Sequence, residues 1–184
     1  MRVITGTCRG MKLRPLEGLA TRPTADRVKE GMFSAIQFEI EGRKALDLFA
    51  GTGQLGIECL SRGASHAVFV DASADAVKVI RENLKRTELT QVSTLLQSEA
   101  IAYLEQCREK FDLIFLDPPY ESNLINSALK VITEIDILSE SGIIICEYAT
   151  SQPPKLPAGL CLSRDYRYGK TGVALLRRAE KDNL

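Results

Sequence analysis

The run Asp117-Pro118-Pro119-Tyr120 sets a carboxylate, two prolines and an aromatic ring in succession. A residue that precedes proline is driven into the extended region. Pro118 therefore extends Asp117, and Pro119 extends Pro118. The Asp117 carboxylate and the Pro118 carbonyl become two rigid acceptors beside the Tyr120 ring. Such a set suits a planar amine, with one acceptor for each N–H and a ring to stack on. The exocyclic amine of a nucleobase is a poor nucleophile, because its lone pair is delocalised into the ring. Accepting both hydrogens draws the nitrogen toward tetrahedral geometry and aims the lone pair at an electrophile. Positioning and charge stabilisation then supply most of the rate. A base must leave its stack to reach such a pocket, and Tyr120 would replace the lost stacking.

A second constellation names the electrophile. Gly51-Thr52-Gly53-Gln54-Leu55-Gly56 fits G-x-G-x-x-G after an apolar run, Lys44 to Phe49, and before a helical pattern that ends at Gly63. That strand, turn and helix should cradle a nucleotide-like ligand. Three apolar runs end in acids: Asp47 before the glycine loop, Asp71 after His66–Val70, and Asp117 after Phe111–Leu116. If the runs are parallel neighbours, the acids converge at the carboxyl edge of the sheet, where open α/β sheets bind ligands. Such an edge repels a pyrophosphate and attracts a cation. S-adenosylmethionine carries a sulfonium and an ammonium and no phosphate, so it is the expected cofactor. An NAD-binding oxidoreductase using the same loop is the alternative of a different class. It gives no role to Asp117-Pro118-Pro119-Tyr120.

The elements that must position these groups alternate. Thr24 is the expected N-cap of a helix over Ala25–Glu39, with Val28, Met32, Phe33, Ala35 and Ile36 on its apolar side. From Leu55 the helical pattern after the glycine loop has Leu55, Ile57, Cys59 and Leu60 apolar, and Glu58, Ser61 and Arg62 break the run. Helices follow at Ser73–Arg86, Glu99–Glu109 and Leu124–Ile135. Strands are expected at His66–Asp71, Val92–Leu96, Phe111–Leu116 and Gly142–Cys146. Alternation of this kind gives right-handed crossovers and a parallel sheet. After Pro153-Pro154 the pattern changes to two strands, Leu160–Tyr168 and Thr171–Arg177, joined at Gly169-Lys170 as an antiparallel hairpin. Residues 2–16 suggest a further β-hairpin carrying Arg2, Arg9, Lys12 and Arg14. The expected fold is α/β, a mostly parallel sheet with an antiparallel C-terminal hairpin and an N-terminal β-hairpin. One domain should span residues 1–184, with a basic extension over 1–20 and a catalytic core over 21–184.

Charge is uneven. The whole chain is neutral, yet residues 1–30 and residues 162–178 are each net +4, and residues 31–161 are net −7. Basic ends around an acidic body can hold a polyanion while the pocket keeps a cation. The five cysteines are far apart, without a C-x-x-C pair, and there is one histidine, His66. No metal site and buried, reduced thiols in a cytoplasm are expected. No apolar run approaches a membrane span, and the first residues lack the apolar stretch of a signal peptide.

These residues together resemble the class I, Rossmann-like, S-adenosylmethionine-dependent methyltransferases with a seven-stranded sheet. More closely, the chain resembles the RsmD-type bacterial enzymes that methylate N2 of one guanine in 16S ribosomal RNA. The likeness rests on the basic N-terminus, Thr21-Arg22-Pro23-Thr24, Leu46-Asp-Leu-Phe-Ala-Gly-Thr-Gly53, Leu60-Ser-Arg-Gly-Ala64, Asp117-Pro-Pro-Tyr120 and Tyr168-Gly-Lys-Thr171. It implies that Asp47, Phe49, Gly51 and Gly53 surround the methionine part of the cofactor. Asp71 would hold the ribose hydroxyls, where the family more often has glutamate. Glu99 and Ala100 would border the adenine, where the family usually has Asp-Ala. Asp117, Pro118 and Tyr120 would be catalytic, and Arg2, Arg9, Lys12, Arg14, Arg22, Arg167 and Lys170 would contact RNA. The implied partner is 16S ribosomal RNA within the small ribosomal subunit, met by a cytoplasmic monomer without metal or membrane. The D/N-P-P-Y motif also occurs in enzymes acting on adenine N6 and on glutamine amides, and both remain alternative substrates. A non-catalytic RNA-binding module is a further alternative, which the intact acceptor set disfavours.

Overall fold

The computed structural model describes residues 1–16, 23–119 and 123–179, with the side chains of residues 23–25 left aside. Seven strands form one sheet: β1 (Lys44–Asp47), β2 (His66–Asp71), β3 (Ser93–Gln97), β4 (Phe111–Leu116), β5 (Leu138–Ala149), β6 (Leu160–Tyr168) and β7 (Thr171–Arg178). Their order is β3-β2-β1-β4-β5-β7-β6. The first five are parallel, and β7 and β6 close the sheet antiparallel. Apolar residues in β1, β2 and β4 are buried throughout, as strands covered on both faces require. The chain runs outward from β1 to β3 in one direction, then returns to start β4 on β1's other side. The switch point therefore lies between β1 and β4.

Among the described residues five α-helices cover the sheet: α1 (Pro23–Ala35), α2 (Gln54–Ser61), α3 (Ala74–Arg86), α4 (Ala100–Gln106) and α5 (Leu124–Glu134). Alternate strand residues feed two cores. Phe69, Phe115 and Ile145 pack with α1, α2 and α3, among them Phe33, Ile57 and Ile80. Val70, Leu116 and Cys146 pack with Leu104 of α4 and Ala128, Leu129 and Ile132 of α5. Ser73 caps α3, its hydroxyl accepting from the Ala76 N–H at 3.3 Å.

Several boundaries differ from expectation. α1 begins at Pro23 and ends at Ala35, so Thr24 lies in its first turn instead of capping it. Proline there lacks the N–H that the first turn would leave orphaned, and its fixed φ suits a helix start. α4 is shorter than expected, with Glu99 at its N-cap. β5 is longer, because both β4 and β7 pair with it. The N-terminal hairpin is reduced to one antiparallel bridge, Arg2 with Lys12, plus hydrogen bonds between Val3 and Met11 and between Gly10 and Val3. Cys8, Cys59, Cys107 and Cys146 are buried free thiols, whereas Cys161 is exposed on the edge strand β6.

Polar residues that broke α2's apolar run have a second face to pack on. Glu58 and Ser61 are buried, because residues 4–8 lie over them. The Glu58 carboxylate accepts from the Ile4 N–H at 2.8 Å, the Thr5 N–H at 3.0 Å and Arg62 Nε at 2.8 Å. Ser61 Oγ donates to Thr5 O and accepts from the Cys8 N–H. At Gly6, with φ +87°, a Cβ would stand 1.7 Å from the Ser61 carbonyl oxygen. Asn83, fully buried on α3, accepts from the Arg14 N–H and donates both to Arg14 O and to Thr52 O of the glycine loop. The basic N-terminal arm is thus clamped onto the core.

Candidate active site

The glycine loop turns at the carboxyl end of β1. Gly51 (φ +55°) and Gly53 (φ +77°) both take left-handed conformations, which glycine adopts without cost. Gly56 serves packing: a Cβ there would fall 2.3 Å from the Phe69 ring, so α2 could not seat against β2. Phe49 is half-buried against the α4–α5 core.

The strand-end acids converge as expected. β2 and β4 flank β1, with Asp47 in register with Phe69 and with Phe115. Asp47 is 1% exposed and accepts one hydrogen bond, from the Gly56 N–H at 3.0 Å. Burial pushes its carboxyl up to about 7, the Gly56 N–H opposes this, and the Asp71 charge adds to it. Asp71 accepts from the Gly51 N–H at 2.7 Å and from the Ser73 N–H at 2.9 Å, so it braces the loop from the neighbouring strand. The Ser98 N–H donates to Asp71 O, which sets exposed Glu99 and buried Ala100 beside that edge. Asp117 follows β4 and is half-buried, Pro118 is buried and Pro119 exposed. The Asp117 carboxyl is raised well above the usual carboxylate range, by burial first, then by Glu147, then by Asp47. Tyr120 and Arg22 lie outside the described residues.

A dinucleotide would bring its pyrophosphate to the glycine loop beside buried Asp47, with no lysine or arginine among the residues of the loop. A sulfonium with an ammonium meets complementary charge there. The donor set fits S-adenosylmethionine: a buried carboxylate for the cations, and at Asp71 a carboxylate already oriented by two N–H groups with lone pairs left for ribose hydroxyls. Among the described residues no group of three or more His, Cys, Asp or Glu could hold a metal ion. No helix there is long and apolar enough to cross a membrane.

The basic residues fall into two groups that meet on α1. Lys29 of α1 is buried and donates to Arg2 O at 2.8 Å; burial lowers its ammonium's pKa. Two residues on, Gly31 leaves room for the Tyr168 hydroxyl, which a Cβ would approach within 1.9 Å. That contact explains why a glycine interrupts the helix. Arg2, Arg9, Lys12, Arg14, Arg167 and Lys170 are exposed. Arg14 pairs with Glu82, and Arg167 with Asp165 at 3.6 Å, surface pairs that cost little to exchange for a phosphate. The anchors Glu58, Ser61, Asn83 and Lys29, and Glu147 beside Asp117, were missed in the sequence. Only the polar interruption of α2's apolar run hinted at any of them.

Known proteins give the same picture. The family described as Conserved hypothetical protein 95 matches residues 1–177. YlbH of Bacillus subtilis (strain 168) is 40% identical over 182 residues, covering 97% of this chain and 99% of that protein. Ribosomal RNA small subunit methyltransferase D of Haemophilus influenzae is 31% identical over 172 residues, covering 92% and 89%. The solved yhhF protein from Escherichia coli superposes with a TM-score of 0.87 at 31% identity, over 98% of this chain and 99% of that one. With the seven-stranded order, the glycine loop and the acidic edge, these matches make the chain a Rossmann-like class I methyltransferase in fold, and it belongs to the Conserved hypothetical protein 95 family, the RsmD family.

Proposed function

We propose that this protein transfers a methyl group from S-adenosylmethionine to the exocyclic N2 amine of one guanine in 16S ribosomal RNA, working as a monomer on the small ribosomal subunit. The observation that carries this reading is the meeting of Asp47, Asp71 and Asp117 around the β1–β4 switch point, with Asp117-Pro118-Pro119 at its rim. Relatives named Ribosomal RNA small subunit methyltransferase D support the choice of RNA.

When bound, the cofactor supplies an electrophilic methyl group on a positively charged sulfur. Asp47 gives the cation a buried counter-charge, and Gly51 and Gly53 let the backbone approach it. Phe49 borders the methionine part, Asp71 takes the ribose hydroxyls, and Glu99 and Ala100 flank the adenine. Asp117 and the Pro118 carbonyl accept the two amine hydrogens, while Tyr120 stacks on the extruded base. Asp117 must be ionised to take the amine proton, so its raised pKa makes turnover climb with pH through its titration. The amine proton becomes acidic only as the N–CH3 bond forms, and it then passes to Asp117. Arg2, Arg9, Lys12, Arg167 and Lys170 contact phosphates; Arg14 and Arg22 complete the set.

The test is incubation of small subunits lacking the modification with labelled cofactor, followed by mapping of the labelled nucleotide and atom. Label on N2 of a single guanine is expected. Label on an adenine or on protein glutamine would contradict the substrate. Tight NAD binding without binding of S-adenosylmethionine would contradict the cofactor.

A further inference from the structure

The mechanism above uses both amine hydrogens and leaves one donor on the same edge of guanine unaccounted for. Guanine presents N1–H beside its N2 amine, whereas adenine presents a bare N1 lone pair beside its N6 amine. An enzyme of the D-P-P-Y kind that chooses guanine needs an acceptor next to the one that takes the amine.

The strand register puts one there. β4 and β5 are parallel, and Leu116 pairs with Cys146. The next residues, Asp117 and Glu147, are therefore side by side at the carboxyl edge. Ile145 belongs to the core on the α1–α3 side and Cys146 to the opposite core. Alternation returns Glu147 to the α1–α3 side, the side of the glycine loop. The charge of Glu147 bears on the Asp117 carboxyl more strongly than that of Asp47 does. Glu147 is half-buried between buried Cys146 and buried Tyr148, and its backbone pairs with Val173 of β7. Glu147 is thus a half-buried carboxylate set beside a second one, Asp117, at the end of the sheet where ligands bind. Such a position points to use.

We propose that Glu147 is the specificity-determining residue for guanine: its carboxylate accepts N1–H while Asp117 and the Pro118 carbonyl take the N2 amine. The inference rests on the guanine-N2 reading above. A carboxylate at this place repels the N1 lone pair of adenine and rewards the N1–H of guanine, so it selects between two bases whose amines the remaining acceptors would treat alike. β5 holds the group in place, since it pairs with β4 as far as Cys146 and with β7 through Glu147 itself.

The test uses small subunits whose 16S RNA carries, at the target position, either guanosine or 2-aminopurine. The analogue keeps the N2 amine but has a bare N1. Single-turnover methyl transfer is measured for the full-length wild type and for Glu147→Gln. One hydrogen bond to a charged group corresponds to about ten- to a hundredfold, and the wild type should prefer guanine by at least that. Glu147→Gln keeps the size and adds an N–H that can donate to a bare N1, so the preference should fall at least about tenfold. Because the preference is a ratio within one variant, partial loss of folded protein cancels. Equal loss on both substrates, with the ratio unchanged, would assign Glu147 to structure alone and overturn the proposal. So would a wild type that methylates both targets equally. A wild type that leaves guanine subunits unlabelled, or labels an adenine, would instead refute the guanine-N2 reading and the proposal with it.

Discussion

Replacing Asp47 by asparagine should make the protein more stable at pH 8 and worse at binding its cofactor. Asp47 is 1% exposed, and burial pushes its carboxyl from 3.8 up to about 7. The folded state therefore holds a proton that the unfolded state has released between these values, and stability falls as pH rises through that window. Taking both titrations together, ionising Asp47 costs the fold about 1.5 kcal/mol at pH 5 and about 4 kcal/mol at pH 8. Asparagine keeps the acceptor for the Gly56 N–H at 3.0 Å and removes that cost. Its NH2, a donor set where a carboxylate oxygen stood, gives back about 1–3 kcal/mol. That penalty does not titrate, so the stability gap between Asp47→Asn and the wild type should widen by about 2–3 kcal/mol from pH 5 to pH 8. Urea denaturation of both proteins without cofactor, at several pH values, measures it. Calorimetry in parallel should find wild-type cofactor affinity rising from pH 6 to pH 8, and the variant weaker with a flatter profile. A gap that stays constant across pH would refute the assignment of Asp47 as the buried acid that the cofactor's cation neutralises.

Other substitutions probe the remaining parts. Asp71→Ala should weaken cofactor binding by about 1–3 kcal/mol, the cost of stranding its hydroxyl and N–H partners, read by calorimetry. Arg9→Ala or Lys12→Ala should weaken RNA binding and lower its salt slope by about one unit per lost phosphate contact. Titrations at several salt concentrations check this, with cofactor affinity unchanged. Gly6→Ala should detach the N-terminal arm, since the new Cβ would stand 1.7 Å from the Ser61 carbonyl oxygen at a φ of +87°. Faster hydrogen exchange at Ile4, Thr5 and Cys8, together with weaker RNA binding, is the expected signature.

The elements near the chemistry were the most legible in the sequence. Asp47, Asp71 and Asp117 each end an apolar run, and a buried parallel strand reads as such a run whatever surrounds it. Knowing that the runs are neighbours was enough to bring the acids together. The N-terminal arm was less legible, because almost nothing in it is periodic. It is held by Glu58, Ser61 and Asn83 through backbone groups, and backbone hydrogen bonds leave no trace in the type of the residue that makes them. Glu58 breaks α2's apolar run, and a carboxylate is normally exposed, yet it is buried because the arm supplies two N–H groups and Arg62 a charge. Gly31 of α1 has its reason in Tyr168, more than a hundred positions away, which occupies the space a side chain would need. Glu147 was hidden for the same reason: only the pairing of Leu116 with Cys146 sets it beside Asp117.

The most direct measurement of the central claim is single-turnover methyl transfer to small subunits by Asp117→Ala, at saturating enzyme and cofactor. Loss of one preorganised acceptor, and of its charge, in a water-poor site should slow the chemical step by about two to three orders of magnitude. RNA binding, spread over Arg2, Arg9, Lys12, Arg167 and Lys170, should hardly change. Transfer by Asp117→Ala at the wild-type rate, with both ligands bound, would contradict the account of the chemistry even with the fold and the cofactor unchanged.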